Sequence, residues 1–365
     1  GDEIAHAPIC FFFVVCFALE LFIAEHTQMG VGASYLTPRV PPNVIWEAFE
    51  ATLPDLAGKV VAVTGCTSGT GRQLALAAAA KGATVVALNR PSPRSIALLA
   101  ELRAIVPECA SIECDLTSFE STRAAAAALV ERFADGGIDT LCLNAGVMAC
   151  EDIATSDGFD VQIQTNHLSH FLLASETMAL LETAAQKRGE ARIVLHSSIA
   201  RRGPPLDAAF FVPNSGGSLG GNGNSMLFSG GRWVRYHQSK LANVLFAQDL
   251  HARLAAKGSL VKALCAAPGY CATPLQVKAV ASGGMGKSTI WTTKFAQSIP
   301  DGTCPLLTCC FGESVASGEF YEPSKQMNGT GPVGKSPVPM KERDPVARAA
   351  LWSASEVAIG AKWAL

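Results

Sequence analysis

The stretch Val60-Val61-Ala62-Val63-Thr64-Gly65-Cys66-Thr67-Ser68-Gly69-Thr70-Gly71-Arg72 constrains the fold more than any other. A β-branched apolar run gives way to a glycine-rich turn, and a helical pattern begins at once. A strand, a tight loop and a helix N-terminus in that order present backbone N–H groups to an anion at the carboxyl edge of a sheet. Gly65 permits the sharp turn, Gly69 the close approach of a pyrophosphate, and Gly71 close packing of helix on strand. Thr67, Ser68 and Thr70 fill the loop between them. The spacing is T-G-x-x-x-G-x-G rather than G-x-G-x-x-G.

Alternation continues down the chain. Apolar runs at 59–64, 84–88, 110–114, 139–143, 192–196 and 260–265 read as strands, with helical patterns at 72–81, 93–105, 118–134, 156–185 and 236–256. Strands separated by helices of that length predict an α/β fold with a doubly wound parallel sheet covered on both faces. A net charge of −2 with mixed signs gives no reason to expect nucleic acid. The twelve cysteines have no C-x-x-C pairs and read as reduced, partly buried thiols, so neither a disulfide framework nor a metal site is expected.

The N-terminus is different. From Ile9 to Ala24 the chain is almost wholly apolar, broken by Glu20, and no Lys or Arg precedes Arg39. Residues 1–26 are expected to form a hydrophobic helix that meets a membrane, or a membrane protein complex, through residues 8–24. The alternative is an apolar arm packed on the protein's own surface. Residues 27–56 read as a linker with one short helix, capped by Asn43, with Ile45, Trp46 and Phe49 on one face. Residues 57–365 form the dinucleotide-binding domain.

The strand ends carry the binding candidates. After strand two comes Leu88-Asn89-Arg90, where folds that select NAD place a carboxylate for the ribose 2′-hydroxyl. Here a guanidinium follows instead. Arg90, helped by Arg72 or Arg94, would pair with a 2′-phosphate, which favours NADP(H) over NAD(H); a merely solvated Arg90 is the plain alternative. Asp115-Leu116 closes strand three where an adenine amine would lie, and Asn144-Ala145-Gly146 closes strand four with small residues beside the adenosine half. Ordinary turn chemistry is the plain alternative for either, but their position at strand carboxyl ends, on the side of the glycine loop, makes the functional reading the stronger.

Tyr236 and Lys240 stand at i and i+4 of a helical pattern, one above the other. A free tyrosine titrates near pH ~10, and a neighbouring ammonium favours the phenolate needed for proton transfer near neutrality. Strand 192–196 ends in Ser197-Ser198. Ser198 is placed to donate to a substrate carbonyl oxygen, and Ser197 to satisfy backbone in the turn. Asn166 lies mid-helix, where asparagine is a poor helix former. It marks either a kink that holds water or an ordinary surface polar residue.

Together these motifs, with Pro268-Gly269, resemble the short-chain dehydrogenase/reductase family over roughly residues 57–360. Asn166-His167-Leu168-Ser169-His170-Phe171, Ser239-Lys240-Leu241-Ala242-Asn243 and Gly318-Glu319-Phe320-Tyr321-Glu322-Pro323 are similar to its retinol dehydrogenase and WW-domain oxidoreductase branch. The resemblance implies a Rossmann-like fold and a mechanism. Tyr236 exchanges a proton with the substrate oxygen, and Lys240 lowers the tyrosine pKa and holds the nicotinamide ribose. Ser198 polarises the carbonyl, and Asn166 positions a water. Pro268-Gly269 would border the nicotinamide, and Thr273 would contact cofactor phosphate or amide. Homodimerisation through the helices at 156–185 and 236–256 is a family implication too.

The chain departs from the family pattern in places. Thr70 replaces an aliphatic residue, and Ala267 stands where the branch has His. Residues 203–235 form a flexible glycine-rich insertion between serine and tyrosine, either a lid or a permanent cover. Residues 274–345 are expected to be irregular, with helical pieces that shape the substrate pocket. The functional expectation is a membrane-associated NADP(H)-dependent oxidoreductase in a reducing compartment, acting on a small lipophilic carbonyl or alcohol of retinoid or isoprenoid type. The second reading is an accessory subunit of a membrane complex that keeps the fold and a bound nucleotide.

Overall fold

The computed structural model describes residues 41–223, 229–286, 293–325 and 329–365. The hydrophobic helix expected in residues 1–26 lies outside them, as does the contact expected through residues 8–24. Among the described residues no helix is long and apolar enough to cross a membrane.

Eight strands form one sheet in the order β3-β2-β1-β4-β5-β6-β7-β8. They are β1 (Val60–Thr64), β2 (Thr84–Asn89), β3 (Ala110–Glu113), β4 (Thr140–Leu143), β5 (Ala191–His196), β6 (Val261–Ala266), β7 (Phe320–Lys325) and β8 (Thr330–Ser336). Strands β1 to β7 pair in parallel and β8 returns antiparallel to β7. Alternate strand residues supply two separate cores. Ala62, Val86, Leu141, Ile193 and Ala263 face one, while Val61, Val85, Cys142, Val194 and Leu264 face the other. Because both faces are covered, the strands read as unbroken apolar runs.

The helices are α1 (Trp46–Glu50), α2 (Gly69–Ala80), α3 (Pro93–Ile105), α4 (Phe119–Phe133), α5 (Ser169–Arg188), α6 (Gly231–Ala256), α7 (Pro274–Ala281), α8 (Ile299–Phe311) and α9 (Pro345–Ile359). A π-helical turn, Gln164–Leu168, leads into α5. Strand order reverses between β1 and β4, so their carboxyl ends diverge and open a crevice at the switch point.

Three local expectations need correcting. Asn43 does not cap α1; the backbone N–H groups of Val44, Ile45 and Trp46 donate to the Asp301 carboxylate at 2.8, 3.2 and 3.0 Å. Helix α6 begins at Gly231, five residues earlier than the pattern suggested, so Arg232 and Arg235 belong to it. The stretch 274–345 is not largely irregular, since α8 and the β7–β8 hairpin lie within it. Pro323 in β7 and glycines 331 and 334 in β8 hid that hairpin, yet Pro323 pairs with Val333 next to a bulge at the sheet edge, where proline is tolerated.

Candidate active site

A cavity of about 860 Å³ opens along the crevice, at the upper end of the range usual for ligand pockets. Gly65, Thr67, Ser68, Gly69, Thr70, Arg90, Asp115, Leu116, Asn144, Ala145 and Gly146 line one part of it. Ser198, Tyr236, Lys240, Pro268, Gly269 and Thr273 line the rest. The expected site residues therefore meet in one place, with two exceptions. Gly71 lies in α2 behind the loop, and Asn166 stands behind Gly146.

The loop is built by close approach. Gly65 has φ +71°, and a Cβ there would sit 2.8 Å from the Cβ of Ala145. At Gly71 a Cβ would meet Asn144 Nδ2 at 2.3 Å and the Gly65 carbonyl at 2.5 Å. Gly71 thus makes room for the Asn144 amide, rather than for helix packing on the strand. That amide donates to the carbonyls of Thr64 and Gly65 at 2.9 and 3.3 Å. Its oxygen accepts from Thr70 at 3.1 Å and meets His196 Nδ1 at 2.9 Å. Burial holds the His196 pKa down to about 3, so the ring is neutral and its one proton belongs on Nδ1, facing that oxygen.

At the adenosine end Asn89 is buried, and its Oδ1 accepts from the Cys66 N–H at 2.7 Å. Its Nδ2 is a buried donor with no partner. An unpaired donor inside a ligand cavity is costly unless a ligand oxygen completes it. Together with the loop's space for a pyrophosphate, this orphaned amide fits a dinucleotide. Arg90 and Arg94 line the same end. Arg72 does not, because it pairs with Glu101 on the surface. Asp115 spends Oδ1 on the N–H and hydroxyl of Thr117, at 2.9 and 2.8 Å.

At the other end Tyr236 and Ser198 line the cavity together. Ser197 instead donates to the Lys240 carbonyl at 2.8 Å. Desolvation pushes the phenol up to about 12, against which the nearby Ser198 side chain works. Lys240 is one turn on, but its Nζ lies 5.9 Å from the tyrosine ring centroid and donates to the His196 carbonyl at 3.0 Å. The expected lowering of the tyrosine pKa by that ammonium is therefore absent here. Burial lowers the Lys240 pKa to about 8. Gly146 packs close beside it: a Cβ there would stand 3.2 Å from Asn166 Oδ1 and 3.3 Å from Nζ, so one of the two side chains would have to give.

Asn166 sits in the π-turn, which widens the helix locally. Its Oδ1 accepts from the Val147 N–H at 2.8 Å, and its Nδ2 donates to the Val147 carbonyl and to Ser239 Oγ, both at 2.9 Å. The side chain thus locks the loop after β4 to α6, leaving only its backbone carbonyl, which also meets His170 Nδ1 at 3.1 Å, to hold a water. Thr64 completes this chain through His170 Nε2 at 3.0 Å.

The insertion 203–235 was expected to be flexible. Its described part is instead tied down from beneath. Asp152 accepts from the N–H groups of Leu219 and Gly221 at 2.9 and 2.8 Å, and Arg235 donates to both carbonyls. Arg235 also pairs with Asp160 at 2.9 Å, fully buried. Among the described residues of the insertion, Gly203 and Trp233 alone reach the cavity. Trp233, Met148 and Met285 give its substrate end an apolar wall, with Arg202 and His237 near them. Sequence reasoning missed Asn89, His170, His196, Trp233 and Lys278, the last lining the cavity from α7. The two at strand ends, Asn89 and His196, could have been found by reading every polar residue at a β carboxyl terminus as facing the crevice.

A doubly wound sheet with a glycine-rich loop at its switch point, and a serine, a tyrosine and a lysine at the far end of the cavity, defines the class of dinucleotide-dependent oxidoreductases. The family profile described as short chain dehydrogenase matches residues 59–209. Human retinol dehydrogenase 13 is 31% identical over 326 residues, 85% of this chain and 86% of that protein. The chain belongs to the short-chain dehydrogenase/reductase family, in its retinol dehydrogenase branch. Among solved structures, an uncharacterized protein from Mycobacterium paratuberculosis is 28% identical with a TM-score of 0.66, covering 87% of this chain and 98% of its own. Pseudomonas aeruginosa RhlG, solved as an NADP active-site complex, shares the fold at 21% identity and TM-score 0.54, over 73% of this chain and 94% of its own.

Proposed function

We propose that the chain is an NADP(H)-dependent reductase of a lipophilic carbonyl compound, of retinoid or isoprenoid type. The observation that carries this reading is that Ser198, Tyr236 and Lys240 line one end of the same cavity that the glycine loop opens at its other end. Bound nicotinamide would supply the hydride. Ser198 donates to the substrate oxygen as negative charge builds there, and Tyr236 delivers the proton. With its pKa pushed up to about 12, the phenol holds that proton throughout the neutral range, the state that protonating a carbonyl oxygen requires. Met148, Trp233 and Met285 exclude water from the reacting carbon.

NADP(H) is favoured over NAD(H) because the adenosine end offers donors and cations, Asn89 Nδ2, Arg90 and Arg94, and no carboxylate at the end of β2. The apolar run Ile9–Ala24 carries the membrane part of the proposal. Removing residues 1–40 should then move the protein from the membrane to the soluble fraction.

The test of the chemistry is turnover of a panel of apolar aldehydes with NADPH. Tyr236→Phe should lower kcat/KM by at least about 10²-fold while NADPH still binds. Absence of turnover across the panel, or a fully active Tyr236→Phe, would reject the enzyme reading and leave that of a nucleotide-holding subunit.

A further inference from the structure

Helix α7 lies across the glycine loop: a Cβ on Gly69 would meet Thr273 and Pro274 at 3.8 to 4.0 Å. From this helix Lys278 lines the same cavity as Arg90 and Arg94, which come from the turn after β2 and the start of α3. None of the three cations has an ion pair or hydrogen bond among the described residues. Burial, then Arg94 and Arg90, lower the Lys278 pKa. Three unpaired cations converging from two separate elements repel one another until an anion lies between them. The buried unpaired donor Asn89 Nδ2 lines the same end.

The other end of the helix is tied to the chemistry. Ala279, next to Lys278, is buried with Trp233 and Tyr236. Just beyond the helix, the Ser282 carbonyl accepts from Arg232 at 3.0 Å and the Gly284 carbonyl from Trp233 Nε1 at 3.1 Å. Met285 then joins the substrate wall. One short element therefore spans from the cation cluster to the apolar pocket.

We propose that Lys278 clamps the 2′-phosphate of the dinucleotide from α7, so that a phosphorylated nucleotide also fixes the wall of the substrate pocket. This rests on the NADP(H) reading above. It makes Lys278 a specificity-determining residue whose effect is felt in the substrate KM.

The experiment compares wild type, Lys278→Gln, Lys278→Arg and Arg90→Gln. Dissociation constants for NADPH, NADH and 2′,5′-ADP, which has no nicotinamide, are read by calorimetry, and the aldehyde KM with each coenzyme. Lys278→Gln should weaken NADPH and 2′,5′-ADP about tenfold, the loss of one charge-assisted contact to phosphate, and leave NADH unchanged. The aldehyde KM should rise with NADPH and not with NADH, and Lys278→Arg should restore most of both. Equal effects on the two coenzymes, or none, overturn the clamp. An unchanged KM overturns its link to the substrate wall. If Arg90→Gln shifts the coenzyme preference and Lys278→Gln does not, the NADP(H) reading stands and only the clamp falls. Wild type binding NADH as tightly as NADPH sinks both.

Discussion

The Lys240 ammonium donates to the backbone carbonyl of His196 across 3.0 Å, tying α6 to the end of β5. Asn243 donates to the same carbonyl at 3.0 Å. The cation is thus anchored to the strand that carries Ser198, with its pKa lowered to about 8 by burial. A lysine so depressed loses its charge as pH rises through that value. If the cation is needed for turnover, kcat/KM for aldehyde reduction should fall above about pH 8, and Lys240→Met should lose that limb along with most of its activity. A profile flat to pH ~10 would show that the cation has no part in the rate.

Gly71→Ala tests the loop. The added methyl would press on both Asn144 Nδ2 and the Gly65 carbonyl, at distances no real Cβ adopts. The Asn144 amide must move, and with it the links to Thr70 and His196. NADPH affinity should drop at least tenfold, about 1.4 kcal/mol. Undiminished binding in a titration would mean the loop gives way without cost.

Three buried histidines predict a steep acid response. His167, His170 and His196 all have pKa values pushed down to about 3 by burial. Below about pH 6.5 the unfolded chain takes up protons that the folded state refuses, so stability falls as pH falls. Asp160, raised to about 6, opposes this with one proton between about pH 4 and 6. Two net protons remain from these four groups, on the order of 3 kcal/mol per pH unit, and His251, also lowered by burial, acts in the same direction. Urea midpoints at pH 7 and pH 5 measure it, and equal midpoints would contradict the assignment of neutral, buried rings.

Asp301→Ala should free α1. It removes the acceptor for three backbone N–H groups of a five-residue helix, which has no side-chain cap of its own. The expected cost is about 1–2 kcal/mol, with faster amide exchange at Val44, Ile45 and Trp46 ahead of global unfolding. Unaltered exchange at those amides would place the anchor in Trp46 burial alone.

Much of the cavity was legible because its parts are local. A strand followed by a glycine turn, small residues after β4, and a tyrosine four residues before a lysine are patterns set by backbone periods. Other parts depended on distant partners. Asp301 caps a helix some 255 residues away, and Asn166 bridges Val147 and Ser239. Arg235 reaches back to Asp152 and Asp160 to hold an insertion whose glycines suggested a loose coil.

The sequence by itself determined the sheet, its parallel order as a class, and which chemical groups gather at its carboxyl edge, because side-chain alternation and helix length fix which way each strand end faces. The tertiary structure alone decided which partner each group takes. It sent the Lys240 ammonium to a carbonyl instead of the phenol, and it brought Lys278 into the same cavity as Arg90 and Arg94. A charge responds to whatever lies within a few ångströms of it, and only the packing of elements far apart in the chain brings those neighbours there.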